Sequence, residues 1–568
     1  MVRRPQLLRR LLLGLAAVGL CAQSPAADYD LVIRGGMIYD GQGGSPFPGD
    51  VAVKGDRIAA MGDLRGATAQ REVKANGLAV APGFINMLSW ANESLLQDPR
   101  SMSDITQGVT LEVMGEGSSM GPLTPSMKAD ELKSQSDFKF DIPWTTLGGY
   151  FDHMEKRGIS TNIASFVGAT TLRIHEVGSD NKKATPEQMK RMRELVGQAM
   201  REGALGVGSS LIYAPANFAD TDELVALTAA AHEYGGGYIS HLRSESSNYE
   251  KAVDELLTIG RRTGAPVQIY HMKPAGRANW AKSEPMLRKL WQARAEGIDV
   301  TANIYPYTAG ATGLYATMPL WVQEGGHDAW VRRLKDSAVR ARLIKEMRAE
   351  PVGWENLMHD AGGPANVLLL AFKNDKLKPL TGKTLAEVAK MRGTSPEDTI
   401  IDLIIEDDSR VGAAYFHMDE ANISRNIKWP WTMVGSDSAS VAAEGSFLKS
   451  NPHPRAYGTF ARFLGKYVRD EKVISLPEGI RRLTSLPAAQ LKLRGRGRLV
   501  PGYFADVVVF DPKTIGDRAT FKEPHQYSVG VRHVLVNGVQ VLKDGQHTGA
   551  TPGRVIRGPG WTGWSKAN

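Results

Sequence analysis

Residues 109–117 read VTLEVMGEG, residues 235–245 GGGYISHLRSE, residues 265–273 APVQIYHMK and residues 431–438 WTMVGSDS. In each, an apolar run rich in β-branched residues stops at a polar break, the pattern of a strand buried on both faces of a parallel sheet. Each break carries a side chain able to bind a metal or move a proton: Glu116, His241, His271 and Asp437. The strands of a (β/α)8 barrel deliver such groups to one rim, at their carboxyl ends. FINML (84–88), NIASFVG (162–168), ALGVGSS (204–210) and VTANIYPY (300–307) bring the runs to eight. Between them lie amphipathic segments such as DELVALTAAAHEYG (222–235), whose apolar residues recur every three or four positions and which closes on glycine. The fold expected is α/β, a (β/α)8 TIM-like barrel.

The texture differs at the two ends. DLVIRGGMIYDG (30–41) and DVAVKGDRIAAMGDL (50–64) alternate short strands with Gly-rich turns, as do FADVVVFDP (504–512) and VRHVLVNGVQVLKDG (531–545). Neither end is long enough for a good domain alone, so residues 28–80 and 486–550 are expected to form one small β-sandwich built from both chain ends. The barrel then occupies 81–485. An inserted segment at about 318–425 falls between barrel strands 7 and 8, because that gap holds charged helical sequence (HDAWVRRLKDSAVRARLIKEMRAE) and two strand-like runs, NVLLLAF and GAAYFHM. The Gly- and Trp-rich tail, 551–568, is expected to be poorly ordered.

Residues 1–27 have four arginines, an apolar stretch from Leu11 to Ala22, and small residues at Ser24 and Ala26, the composition of a cleaved export signal. The stretch is shorter than the roughly 20 residues a bilayer span needs, so no stable membrane span is expected after cleavage. Cys21, the single cysteine, lies inside the signal, leaving no thiol or disulfide in a mature periplasmic or secreted protein. Losing those four arginines takes the net charge from +8 to +4, and the remaining Lys and Arg are scattered among Asp and Glu. No basic stripe for nucleic acid is present. Oligomerisation is left open.

Two histidines and one carboxylate leave a tetrahedral zinc one open position, and a further carboxylate opposite can move the proton. Bland alternatives exist for each residue. A histidine at a strand end is commonly a hydrogen-bonded structural group, Glu116 in GEGSSMGP can cap a following helix, and Asp437 in GSDSAS can be a helix N-cap.

The chain resembles the amidohydrolase superfamily, and within it the N-acyl-D-amino-acid deacylase (D-aminoacylase) branch, in DLVIRGGMIYDG, APGFIN, GVTLEVMGEG, TDELVALTAAAHEYGGGYISHLRSE, IYPYTAG, MVGSDS, HPRAYGTFARFLGKYVR and VPGYFADVVVFD. The resemblance implies a barrel with a metal centre that hydrolyses an amide. It implies Glu116, His241 and His271 as metal ligands, with Glu116 standing where the branch has a cysteine, and Asp437 as general acid/base. It implies Arg455, Lys273 and Tyr305 as contacts of a small substrate bearing a carboxylate.

One departure is large. The superfamily has a His-x-His pair just after the first strand, whereas PGFINMLSW places Leu88 and Trp90 there. One Zn2+ per chain is therefore expected. Leu88 and Trp90 are expected to be ordinary core filling; the alternative is that they line the vacated metal pocket with apolar surface and, with Met114, Met120 and Met127, favour an apolar acyl or side-chain group. Weaker substrate-facing candidates are Arg243, which Glu245 can neutralise, along with His453 and Arg173. The function expected is hydrolysis of N-acyl amino acids of D configuration. The alternatives are a dipeptidase, a prolidase-like enzyme or a cyclic amidase on the same scaffold, or a metal-free binding protein.

Overall fold

A computed structural model describes residues 27–566, so all of the export-signal reading except Ala27 lies outside the described residues. The barrel strands are Phe84–Asn86, Val109–Met114, Asn162–Ser165 continued by Val167–Gly168, Gly206–Ser210, Gly237–His241, Val267–Ile269, Val300–Ile304 and Thr432–Val434. Neighbours pair in parallel in that order. The ring closes where the Met87 N–H donates to the Val434 carbonyl at 3.2 Å and Ser89 bridges Ser438. Helices such as Thr221–His232, N-capped by the Asp220 carboxylate, cover the outside. The strands are therefore buried on both faces, and their sequences read as largely apolar runs with a few buried polar residues.

Strands from both chain ends make a single nine-stranded sheet, joined where Ala79–Pro82 pairs antiparallel with Val507–Phe510. Alternate residues of that last strand face opposite ways. Val507 and Val509 pack with Leu31, Ile33 and Val51, while Val508 and Phe510 pack toward Phe84 and Val109 of the barrel. The β-sandwich domain thus braces the barrel through its own second core face.

The added segment opens at Gly310. Gly310–Gly313, Val367–Ala371 and Gly412–Tyr415 form a three-stranded antiparallel sheet with a separate apolar core, which includes Leu314, Trp330, Leu343 and Ile401. Its charged helical stretch is two helices, His327–Leu334 and Ser337–Arg348, because the Asp336 carboxylate caps the second one.

The tail is not loose. Pro552 bridges Ile159, Val555 bridges Ile163, and Val555 and Ile556 are buried. The pairing runs through backbone, which composition does not reveal. At Gly553 a Cβ would stand 2.0 Å from the Thr161 carbonyl oxygen, so only glycine lets the chains approach.

One buried carboxyl sits on the second strand. Glu112 accepts from Ser89 Oγ at 2.8 Å and Thr161 Oγ1 at 2.9 Å. Burial, aided by the Asp104 carboxylate, pushes it up to about 8. An unfolded glutamate titrates near ~4.3, so between those values the native state holds the extra proton and stability falls as pH rises. Relative to Glu112→Gln, the wild type is expected to lose ~1.4 kcal/mol per pH unit between about pH 5 and 8. Denaturant midpoints across that range measure this, and a constant gap between the two proteins contradicts it.

Candidate metal centre

At the carboxyl-terminal rim the strands surround a cavity of about 370 Å³, within the range of small-molecule sites. Glu116, His241, His271 and Asp437 line it, together with Trp90, Lys273, Tyr305 and Arg455. The approach of Glu116 depends on the glycines beside it. Gly115 and Gly117 have φ of 105° and 73°, and a Cβ at these positions would meet the Phe166 carbonyl oxygen at 2.4 Å and Ser210 Cβ at 2.5 Å. The chain slides between its neighbours there and aims the intervening carboxylate inward. His271 and Asp437 are themselves left-handed, with φ of 33° and 50°, a conformation uncommon outside glycine. It is held by the His271 N–H on Asn303 Oδ1 at 2.7 Å and the Asp437 N–H on the Leu88 carbonyl at 2.8 Å.

Glu116 Oε1 lies 3.1 Å from His241 Nδ1 and 3.0 Å from His271 Nε2. The imidazoles face each other with centroids 4.5 Å apart and planes at 78°. All three residues are buried, and their ligand atoms fall within 4.8 Å of one another. Zinc bonds of about 2.0–2.2 Å at tetrahedral angles place ligand atoms roughly 3.3 Å apart, so a small outward adjustment accommodates the ion. The far side of each ring meets one further carboxylate: Glu245 Oε1 is 3.1 Å from His271 Nδ1, and Glu245 Oε2 is 3.7 Å from His241 Nε2. A carboxylate hydrogen-bonded behind a metal-binding imidazole fixes its orientation; Glu245 is close enough to do this for His271, whereas His241 Nε2 lies beyond hydrogen-bond reach and has no hydrogen-bond partner among the described residues.

The charges point the same way. Three buried carboxylates, Glu116, Glu245 and Asp437, share two fixed cations: Lys273 is 2.7 Å from Glu245, and Arg455 is 2.8 Å from Asp437. Burial raises Glu116, but the neighbouring imidazoles outweigh that and hold it far below the usual carboxylate range. Burial and Lys273 depress His271, yet Glu245, Glu116 and Asp437 together push it up to about 9. Burial lifts Asp437 above an ordinary aspartate against the pull of Arg455. A proton on His271 offsets the surplus negative charge, and a divalent cation on the same atoms displaces that proton. The donor set and its electrostatics fit zinc.

The residues expected as ligands, as general acid/base and as substrate contacts, Glu116, His241, His271, Asp437, Arg455, Lys273 and Tyr305, all line the cavity. Tyr305 lies between the two cations, its ring centroid 4.5 Å from the Arg455 guanidinium and 5.7 Å from Lys273 Nζ. His453 is buried at the wall, with Nε2 3.0 Å from the Ala309 carbonyl. Three expectations need correction. Arg173 is turned into the protein, paired with Glu223 at 2.6 Å. Arg243 is neutralised by Glu255 at 2.8 Å rather than by Glu245, because the two side chains of HLRSE diverge at the strand end. Leu88 packs in the core with Met87 and Met433, and Met114 and Met120 are also core residues, in line with the core-filling reading, from which Trp90 alone departs. Trp90 does face the cavity, but through a polar edge: its indole N–H donates to Glu116 Oε2 at 3.0 Å and Asp437 Oδ1 at 3.2 Å.

Two site residues escaped sequence reasoning. Glu245 was legible only as a neighbour of Arg243. His417 comes just after the added sheet's last strand, at the end of the GAAYFHM run, and lines the cavity with both ring nitrogens buried and unpartnered among the described residues. Burial and Lys273 push it down to about 3, so the ring is neutral.

A closed parallel barrel with a His, His and carboxylate cluster at its carboxyl-terminal mouth defines a class of metal-binding hydrolases. The chain belongs to the amidohydrolase family, whose pattern matches residues 71–542. It is 34% identical to D-aminoacylase of Alcaligenes xylosoxydans xylosoxydans over 539 residues, 94% of this chain and 99% of the relative. The fold is shared with an N-acyl-D-glutamate deacylase from Bordetella bronchiseptica solved with zinc and a phosphonate mimic of the tetrahedral intermediate (TM-score 0.76, 30% identity, 93% of this chain and 99% of that one). A D-aminoacylase structure, described by a binuclear centre with one-metal activation and second-metal attenuation, matches with TM-score 0.77 and 32% identity over 93% of this chain and 100% of that one.

Glu245→Gln removes the carboxylate that His271 Nδ1 and Lys273 share. Zinc affinity is expected to fall about 10- to 100-fold, read by competition with a chelator. Unchanged retention in a folded variant contradicts the assigned role.

Proposed function

We propose that this chain is an exported, zinc-dependent amidohydrolase that cleaves the amide of N-acyl-D-amino acids, with one zinc per chain held by Glu116, His241 and His271. The observation that carries the reading is the convergence of those three ligand atoms within 4.8 Å in a buried cavity that also presents Asp437 and Arg455. The D configuration is supported by the substrates for which the relatives are named. Export is supported by the arginine-rich, apolar composition of residues 1–27. Among the described residues, no helix is long and apolar enough to cross a membrane.

When bound, zinc supplies Lewis acidity for the scissile carbonyl and makes a nearby water far more acidic than in bulk. Asp437 takes the proton of the attacking water and gives it to the departing nitrogen, without which the amine is a very poor leaving group. Arg455 and Tyr305 bind the substrate carboxylate. Both cations are paired, Arg455 with Asp437 at 2.8 Å and Lys273 with Glu245 at 2.7 Å, but Arg455 is the better placed because its Nε is buried without a partner among the described residues. A planar guanidinium also suits a carboxylate.

Asp437→Asn is expected to keep its zinc and lose roughly 10²- to 10⁴-fold in kcat, by elemental analysis and steady-state kinetics; an active variant removes Asp437 from the reaction. Among paired N-acyl-D- and N-acyl-L-amino acids and dipeptides, the D-acyl compounds are expected to be hydrolysed, and a chelator is expected to abolish the reaction. Turnover confined to L-compounds or dipeptides contradicts the substrate assignment.

A further inference from the structure

The departure at the end of the first strand has a geometric consequence. Glu116 and Asp437 are two buried carboxylates facing one cavity. The Trp90 N–H is shared between them at 3.0 and 3.2 Å, so the two oxygens it holds are no more than about 6.2 Å apart, the sum of those contacts. Like charges that close, in a medium poorer than water, repel strongly unless something positive stands between them.

The remaining oxygens are already assigned. Glu116 Oε1 faces the two imidazoles, and Asp437 Oδ2 faces Arg455 at 2.8 Å. Only Oε2 and Oδ1 are left, and both point at the indole. Indole N–H is a donor with no lone pair to offer a cation, so it satisfies the two oxygens and closes the place to a metal. The ring is fixed to the strand that carries Asp437: the Trp90 backbone N–H donates to the Ser438 carbonyl at 3.0 Å, and the Asp437 N–H donates to the Leu88 carbonyl at 2.8 Å.

We propose that the Trp90 indole N–H stands in for a second cation, holding Glu116 as a one-oxygen ligand, orienting Asp437 toward the reacting water, and locking the centre in a one-metal state that excess zinc does not change. Trp90 is thus a positioning residue, acting through Glu116 and Asp437. The inference rests on the zinc-hydrolase reading above and adds to it the reason why the centre stays mononuclear.

The test has three readouts on the full mature chain. Elemental analysis after incubation with excess zinc is expected to give one zinc per chain, with turnover undiminished. Trp90→Phe, which keeps the aromatic bulk and loses the donor, is expected to lower kcat about 10- to 100-fold with little change in KM, and to release zinc to a chelator more readily. In the wild type labelled with indole ¹⁵N, the resonance broadened by cobalt substitution is expected far downfield, as for a strongly hydrogen-bonded N–H, and this needs no variant to fold. A cobalt-broadened indole at an unbonded position, or a folded Trp90→Phe with unaltered kcat and zinc retention, overturns the inference while leaving the zinc-hydrolase reading intact; two zinc ions per wild-type chain overturn the inference and the one-zinc count, but not the hydrolysis. A wild type that binds no zinc overturns both.

Discussion

The site depends on one constraint: a buried carboxylate, that of Glu116, pressed between two imidazoles at contacts of 3.0 and 3.1 Å. A charge placed there costs several kcal/mol in desolvation unless its partners are fixed, and the surrounding structure fixes them. Parallel register brings His241 and His271 to the same rim on adjacent strands. Glycines on either side of Glu116 let its strand pass beneath Phe166 and Ser210. Glu245 holds the His271 ring from behind at 3.1 Å and lies 3.7 Å from that of His241. The resulting cluster carries more negative than fixed positive charge, which is the condition under which a divalent cation binds well.

The other parts of the chain arrange what surrounds that cluster. The eighth strand brings Asp437, and the helix that follows, Arg455–Arg462, brings the guanidinium that faces it. The segment after the added sheet's last strand supplies a neutral imidazole at His417, unpartnered among the described residues. The sheet itself supplies Gly310, whose missing side chain makes room for that ring: a Cβ there would sit 2.8 Å from His417 Nε2. Strain at the left-handed His271 and Asp437 is offset by backbone hydrogen bonds to neighbouring strands, so the two most exacting side-chain directions are set by the barrel rather than by flexible loops.

Much of this was legible because buried parallel strands have a distinct signature. FINML, VTLEVM and VTANI are mostly apolar because both faces are covered, their few internal polar residues (Asn86, Thr110, Glu112, Thr301 and Asn303) are buried, and Glu116, His241, His271 and Asp437 come just where each strand reaches the rim. Glu116, His241, His271 and Asp437 stood out for that reason. Partners across space did not. Arg243 and Glu245 are close in sequence yet serve Glu255 and His271 respectively, because side chains separated by two residues at a strand end need not share a neighbour. Trp90 looked like apolar filling, since the sequence does not show which edge of an indole meets a carboxylate. The tail looked loose because its pairing with Ile159 and Ile163 uses backbone atoms.

The central claim is a single cation between Glu116, His241 and His271, with Trp90 in the place of any neighbour. Anomalous diffraction at the zinc absorption edge, from crystals grown with excess zinc, tests it most directly. The account predicts one strong peak within bonding distance of Glu116 Oε1, His241 Nδ1 and His271 Nε2, with no density for an ion beside the indole. A peak elsewhere, a second peak against Trp90, or none at the three ligands contradicts it.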